Sequence, residues 1–503
     1  MPDLKTEDRI LLPGVVATLV SRIRHKKFAL AAFLIPLGIR AIPEVIVGPY
    51  PVGFDTISFY VPNTLDWAAG KTGAMAMLGA APLMYMISVP LYLLVRVNPV
   101  WIFKVMGPIL YGGLIWSLFR FLQLGLRWTG RQAFGTALMA SLYFVTLRIS
   151  WDLYRNMLGL TFILLSLPLL QAEKNPRREL VSSVLLSLAV ASDQLTAVLA
   201  LGLIGFRFLE SLRRRQWGDM AYLTRVGLAP LALFAAVFYT GLASGISLVE
   251  TQPEVPRVEA LVSSVGFLIY AFFPLLPLAV IGMRRLTNFD LKAWMALCTA
   301  IVLVALMPFF GFIVPSYRWV LLLDIPMCVY GAMGFSRLSQ IAPLATARAL
   351  RIFGKVIRVV PILLVFSAIL YIDLPAQQAT GYYAIFPSFV PTSMMQDNVP
   401  LSDMPSLATV LGWVAAHLGP HEILIAHQTM YGWAKAYLPS TANIIDYVYS
   451  SPLVGVSLAQ SYGYSTIWTV WWVPGLGWHG QAYLPNGFVP IFQDGNMAVY
   501  AYQ

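Results

Sequence analysis

Long apolar runs separated by short basic, polar or Pro/Gly-rich breaks dominate the first three quarters of the chain. Such windows fall near 28–47, 101–126, 132–150, 157–171, 180–192, 195–211, 226–245, 259–283, 293–314, 318–336 and 352–373. A crossing takes about 20 apolar residues, so they predict a polytopic α-helical membrane protein with about 11 transmembrane helices. Windows 180–192 and 195–211 are short and parted only by Ser192, Asp193 and Gln194. They predict a tight helical hairpin dipping partway from one side, its break covered by protein or water. The stretch 74–96 is apolar enough to cross, but Pro82 and Pro90 interrupt any continuous helix. It reads instead as a pair of short helices lying at the outer membrane face.

From about residue 374 the runs shorten and Pro, Gly, Ser, Tyr and Trp increase. There 404–418 reads as an amphipathic helix, 422–427 as a buried strand, 430–438 as a helix, 465–473 as a second strand, and 488–502 as a hairpin turning at Asp494-Gly495. The expected organisation is a transmembrane domain over 1–373 with a first outer loop at 48–100, a linker at 374–403, and a small extracytoplasmic α/β domain at 404–503.

Composition removes whole classes of function. Hydrophobic residues make up 58% of the chain and charged ones 11%, with a mean hydropathy of +0.71. A soluble domain carries about 25% charged residues, so a globular cytosolic enzyme is excluded. The net charge of +11 would suggest nucleic acid in a soluble protein. Here most of the 34 Lys and Arg fall in segments that the span count places in the cytoplasm once the N-terminus is inside. One span more or fewer would throw every later basic cluster to the wrong side, and the same count puts the C-terminal domain outside. The polar, basic N-terminus enters its first apolar window without a small-residue cleavage site, as a retained span does. Cys298 and Cys328 lie in apolar runs and read as small buried hydrophobes.

Polar residues that interrupt this pattern are the candidates for chemistry. In the first outer loop, Gly48-Pro49 makes a rigid turn after span 1 and Asp55 opens a short helix. Asp55 reads either as an N-cap or as a base that takes a proton from an acceptor hydroxyl at the membrane face. After span 3, Arg148, Asp152, Tyr154, Arg155 and Asn156 crowd the outer ends of two apolar helices. Such groups are costly unless paired or facing a wet cavity, and an Asp152–Arg155 pair at i,i+3 spacing is the plainer reading. Asp193 and Gln194 add a third acidic position on that face, so Asp55, Asp152 and Asp193 could line one cavity. Tyr317 and Arg318 stand at the outer mouth of span 10. There Arg318 either snorkels to the interface or holds a phosphate in its guanidinium fork, and Asp324, six residues deeper, reads as the partner of another buried polar group. His417 and His421 stand four apart on the expected helix without a third metal ligand. The aromatic residues Trp468, Trp471, Trp472, Trp478 and Tyr483 read as packing the external domain before they read as a sugar platform.

Taken in order, these elements resemble the GT-C superfamily of membrane glycosyltransferases, which includes protein O-mannosyltransferases, aminoarabinose transferases and oligosaccharyltransferases. The likeness rests on GFDTISFY (53–60), AAPLMYMISVPLYLLVRV (80–97), WDLYRN (151–156), ASDQLTAVL (191–199) and SYRWVLLLDIP (316–326). It implies a sugar donor on polyprenyl or dolichyl phosphate and an inverting transfer on the extracytoplasmic side of, for instance, a prokaryotic plasma membrane. It further implies Asp55 as the catalytic acidic residue, Asp152 as the acidic position of the second outer loop, and Arg318 on the lipid phosphate. Tyr317, Asp152, Arg155, Tyr60 and Asp193 are the accompanying substrate-binding candidates. No cofactor is required by the pattern; a divalent cation, Mg or Mn, would fall to Asp55 and Asp152. Two departures stand out. The Trp-Trp-Asp-Tyr-Gly signature of oligosaccharyltransferases is replaced after the first external strand by His427-Gln428-Thr429-Met430-Tyr431-Gly432-Trp433, and the double acidic motif of some relatives is reduced to one Asp. A transporter or flippase of lipid-linked sugar, or a non-catalytic relative that binds such a lipid, is the alternative reading.

Overall fold

A computed structural model of the chain describes residues 8–171, 174–244, 257–273, 275–305, 316–341, 359–373, 399–447, 451–476 and 484–503. Most of the expected linker 374–403, together with Trp478 and Tyr483, lies outside the described residues. The chain divides into two compact units, one of residues 1–40, 108–150 and 154–368, the other of residues 41–107, 151–153 and 369–503.

Each expected apolar window carries a helix wherever it is described. Among the described residues five helices are long and apolar enough to cross a membrane, or up to seven if each of two bent pairs is one span. The five are Lys26–Ile46 within α1 (Asp8–Ile46), α5 (Pro99–Leu124), α10 (Gln194–Arg213), α11 (Trp217–Ala243), and Tyr317–Gln340, which joins α15 (Ser316–Leu322) to α16 (Asp324–Ile341). The bent pairs are α6 (Gly130–Ser141) with α7 (Phe144–Asp152), at 68°, and α12 (Arg257–Phe272) with α13 (Leu276–Met283). The other four windows hold α8 (Tyr154–Gln171), α9 (Pro176–Ser192), α14 (Phe289–Ala305) and α17 (Val360–Asp373), of 18, 17, 17 and 14 residues. Each of the eleven windows holds helix, but among the described residues five stretches, or up to seven with the bent pairs, have the length and apolarity of a crossing, fewer than the eleven expected.

The hairpin expected at 180–211 is longer than its apolar pattern. Helix α9 starts at Pro176, a residue pre-set for the first helical position, behind an Asn175 cap. Helix α10 runs on for 20 residues behind an Asp193 cap. Within this unit, α13 and α16 approach so closely that a Cβ at Gly282 would strike the Tyr330 carbonyl and one at Gly334 the Leu278 carbonyl. Small residues permit that approach where water supplies no hydrophobic drive between helices. Two of its buried carboxylates have partners: Arg207 forks onto Asp290 with two bonds of 2.6 Å, and Thr146 donates to Asp324 at 2.5 Å.

In the second unit, 74–96 forms two short helices, α3 (Ala74–Gly79) and α4 (Leu83–Val95), broken around Ala81 and Pro82. The C-terminal part is an α/β sheet, with α18 (Met404–His417), β1 (Glu422–His427), α19 (Gln428–Tyr437), β2 (Ile444–Tyr447), α20 (Pro452–Ser461), β3 (Thr466–Trp472), β4 (Phe488–Asp494) and β5 (Met497–Tyr502). The strand order is β2-β1-β3-β5-β4, with the first three parallel and β5 antiparallel to both of its neighbours. Parallel strands are covered on both faces, which is why β1 and β3 read as continuous apolar runs. Helix α18 ends at His417, so His421 falls in the following turn and the two histidines do not share a helix.

Candidate active site

The second unit contains the loop that follows the first helix. Gly53 has a φ of +90°, and a Cβ there would overlap the Asp152 side chain and lie 2.9 Å from the Trp151 carbonyl oxygen. Only glycine combines that backbone with that proximity. The chain then turns into a π-helix, Thr56–Tyr60, which continues directly into α2 (Val61–Ala68). Asp55 opens this rod, is half-buried, and makes no capping hydrogen bond to it through its own side chain. The acceptor at the rod's start is Asp152, fully buried, whose Oδ2 receives the Asp55 N–H at 3.3 Å. The N-cap reading of Asp55 is therefore replaced: Asp152, 97 residues later, does the capping, and the Asp55 carboxylate is not committed to its own helix end.

Several contacts fix the rod. Tyr60 stacks on Phe103 at 5.6 Å. Lys104 donates to the Tyr50 carbonyl at 2.9 Å and to Glu44 at 2.8 Å, a nearly dry ion pair that anchors the loop where it begins. On the other side α19 presents Gly432, where any Cβ would run into the Ile57 carbonyl. Asn63 donates to the Tyr85 hydroxyl at 3.0 Å, and the Thr64 and Ser88 hydroxyls share a bond of 2.9 Å, tying α2 to α4. π-Helical turns are rare and concentrate at functional sites; this one carries Asp55 at its head.

The remaining candidates lie in the first unit. Arg155 donates to the Ser192 carbonyl at 3.2 Å and pairs with Asp193 at 3.9 Å. Asp193 caps α10 through Leu195 N and Thr196 N and accepts from Asn156 at 2.8 Å. Its carboxylate thus serves the joint between α9 and α10. Arg318 donates from Nε to the Tyr317 hydroxyl at 3.2 Å and is half-buried. The structure therefore brings Asp55 to Asp152, Arg155 to Asp193, and Tyr317 to Arg318.

Sequence reasoning passed over Arg40, Glu44 and Lys104, although a charge inside an apolar window is the signal for such residues. Arg40 is buried and donates to the Ser150 carbonyl at 2.8 Å and to the Tyr154 hydroxyl at 3.3 Å. It thereby holds both shoulders of the joint that carries Asp152. Among the described residues no group of three or more His, Cys, Asp or Glu is placed to hold a metal ion; the Asp55–Asp152 pair offers two.

No protein-family model matches the chain, and no curated protein matches it in sequence. Among solved structures it is similar to ArnT from Cupriavidus metallidurans in the apo state, with a TM-score of 0.51 and 12% identity over 96% of this chain and 98% of that one. ArnT is an aminoarabinose transferase of the GT-C family. Over nearly its whole length, this chain therefore shares the fold of ArnT.

Proposed function

We propose that the protein is a glycosyltransferase that moves a sugar from a polyprenyl- or dolichyl-phosphate donor to an acceptor on the extracytoplasmic face. The observation that carries this reading is the placement of Asp55: half-buried, at the head of a π-helix, with the cap supplied by Asp152. The similarity to ArnT supports the same class. In the proposed step the acceptor oxygen attacks the anomeric carbon from the face opposite the phosphate and its proton passes to the Asp55 carboxylate. The bond from the anomeric carbon to the phosphate oxygen breaks, and the lipid phosphate departs with the electron pair, so configuration inverts. The Arg318 fork holds the phosphate, and Arg155 and Tyr60 help to orient the sugar. Asp55 and Asp152 alone would make a poor cation site.

The test of donor class is incubation of the purified protein with a panel of polyprenyl-phosphate sugars, followed by mass spectrometry of the lipid extract. Free polyprenyl phosphate appearing with one of them supports the reading; no binding to any of them removes it. Donor movement across a vesicle membrane without cleavage would favour a flippase. The proposed orientation, N-terminus in the cytoplasm and C-terminal domain outside, is tested by a membrane-impermeant maleimide on a Ser461→Cys variant. Cys298 and Cys328 are buried, so background labelling should be low. Labelling in intact cells supports the orientation, and labelling only after lysis reverses it.

A further inference from the structure

The sequence from 374 to 503 contains a single Lys or Arg, Lys435. That one cation reaches back to the rod that begins with Asp55. Lys435 Nζ lies 3.0 and 3.4 Å from the two carboxylate oxygens of Asp66, near the end of α2. Side-chain exposures of 18% and 22% leave the pair less screened than a surface ion pair, whose contribution is commonly negligible. Nζ also stands 5.5 Å from the centre of the Tyr431 ring on the preceding turn of α19, which limits the ammonium's freedom. One helical turn before Lys435, on the same face, Gly432 abuts the Ile57 carbonyl. Asn98 and Lys71 donate to the carbonyls of Ala436 and Ser440 at 3.1 and 3.2 Å, securing the C-terminal end of α19 and the turn after it.

The rod is thus held at its head by Asp152, near its middle by Gly432, and toward its far end by Lys435. We propose that Lys435 is a positioning residue for the transfer reaction: by fixing Asp66 it makes the C-terminal domain set where the Asp55 carboxylate stands. This inference rests on the reading of Asp55 as the base. Asp66 lies eleven helical steps beyond Asp55, about 16 Å at 1.5 Å per residue. A tilt of about 5° about the far end would move the head by about 1.4 Å, and displacements of about 1 Å at a reacting group can cost about 100-fold in rate. The two other holding points reduce that lever, so a partial loss is expected.

The experiment compares the full chain in nanodiscs as wild type, Lys435→Met, Lys435→Arg and the charge-exchanged double variant Asp66→Lys/Lys435→Asp. Amide exchange of residues 56–68 and the kcat and KM for the lipid donor are measured on each. The inference expects Lys435→Met to speed exchange of that stretch and to lower kcat by about tenfold, with KM for the donor within about twofold of wild type. Lys435→Arg keeps most of both properties, and the exchanged pair restores them. Wild-type exchange or wild-type kcat in Lys435→Met overturns the inference, as does a deficit shared equally by Lys435→Arg and the exchanged pair. A wild-type chain that turns over no donor counts against the proposed function; exchange of residues 56–68 then decides alone whether Lys435 holds the rod.

Discussion

Gly53 carries two demands at once, a φ of +90° and room for the Asp152 side chain where its own Cβ would be. Alanine there meets the left-handed penalty and displaces the segment that caps the Asp55 helix. Gly53→Ala is expected to cost about 2 kcal/mol or more and to abolish transfer. Thermal unfolding in detergent checks the first effect; an unchanged midpoint would contradict the close approach. Asp55 stands out as a candidate in the sequence, because an acidic residue just past a Gly-Pro turn and an apolar span interrupts the pattern around it. Its neighbour's role does not. Asp152 was noticed for its own cluster, but capping from 97 residues away leaves no local spacing to read. The three Asp residues grouped by sequence also take different parts: Asp152 and Asp193 each accept a helix-opening N–H, while Asp55 does not cap its own helix.

The C-terminal helices and strands were legible where the pattern was strong. Apolar runs gave β1 and β3, and Asp494-Gly495 gave the β4–β5 turn. Strand β2 was missed because Ile444–Tyr447 is four residues with a single buried position, too short for alternation to show. Helix α20 did carry a signal, a Ser451 cap followed by Pro452 at the first turn. What no local pattern conveyed is that α19 seats on the rod of the first loop. This unit should be sensitive to alkali. Burial pushes Tyr437 and Tyr447 up to about 12, against about 10 in an unfolded chain. Their raised values favour the protonated folded state, so stability is intact below about pH 10 and is lost as pH rises from there through 12. Tyrosinate absorbance at 295 nm, followed with circular dichroism on the full chain, should show late ionisation coinciding with loss of structure. Ionisation of all tyrosines near pH 10 in a still-folded chain would contradict this.

For the molecule as a whole, hydropathy located the helices and the change in composition located the sheet, because both follow from burial of apolar surface along contiguous sequence. It did not reveal that residues 41–107 belong to the same compact unit as 369–503, since that association is built from side chains hundreds of residues apart, such as Lys435 with Asp66. Similarity in fold to ArnT at 12% identity fits the same division, since the two chains share a trace while most of their residues differ. The proposed chemistry rests on individual side chains, above all Asp55. Its most direct test is donor turnover by wild type and Asp55→Asn, each shown to bind the same polyprenyl-phosphate sugar, with free polyprenyl phosphate read by mass spectrometry. The proposed mechanism predicts release by wild type and a loss of at least about 100-fold in Asp55→Asn with binding retained. Asp55→Asn turning over at the wild-type rate would contradict it.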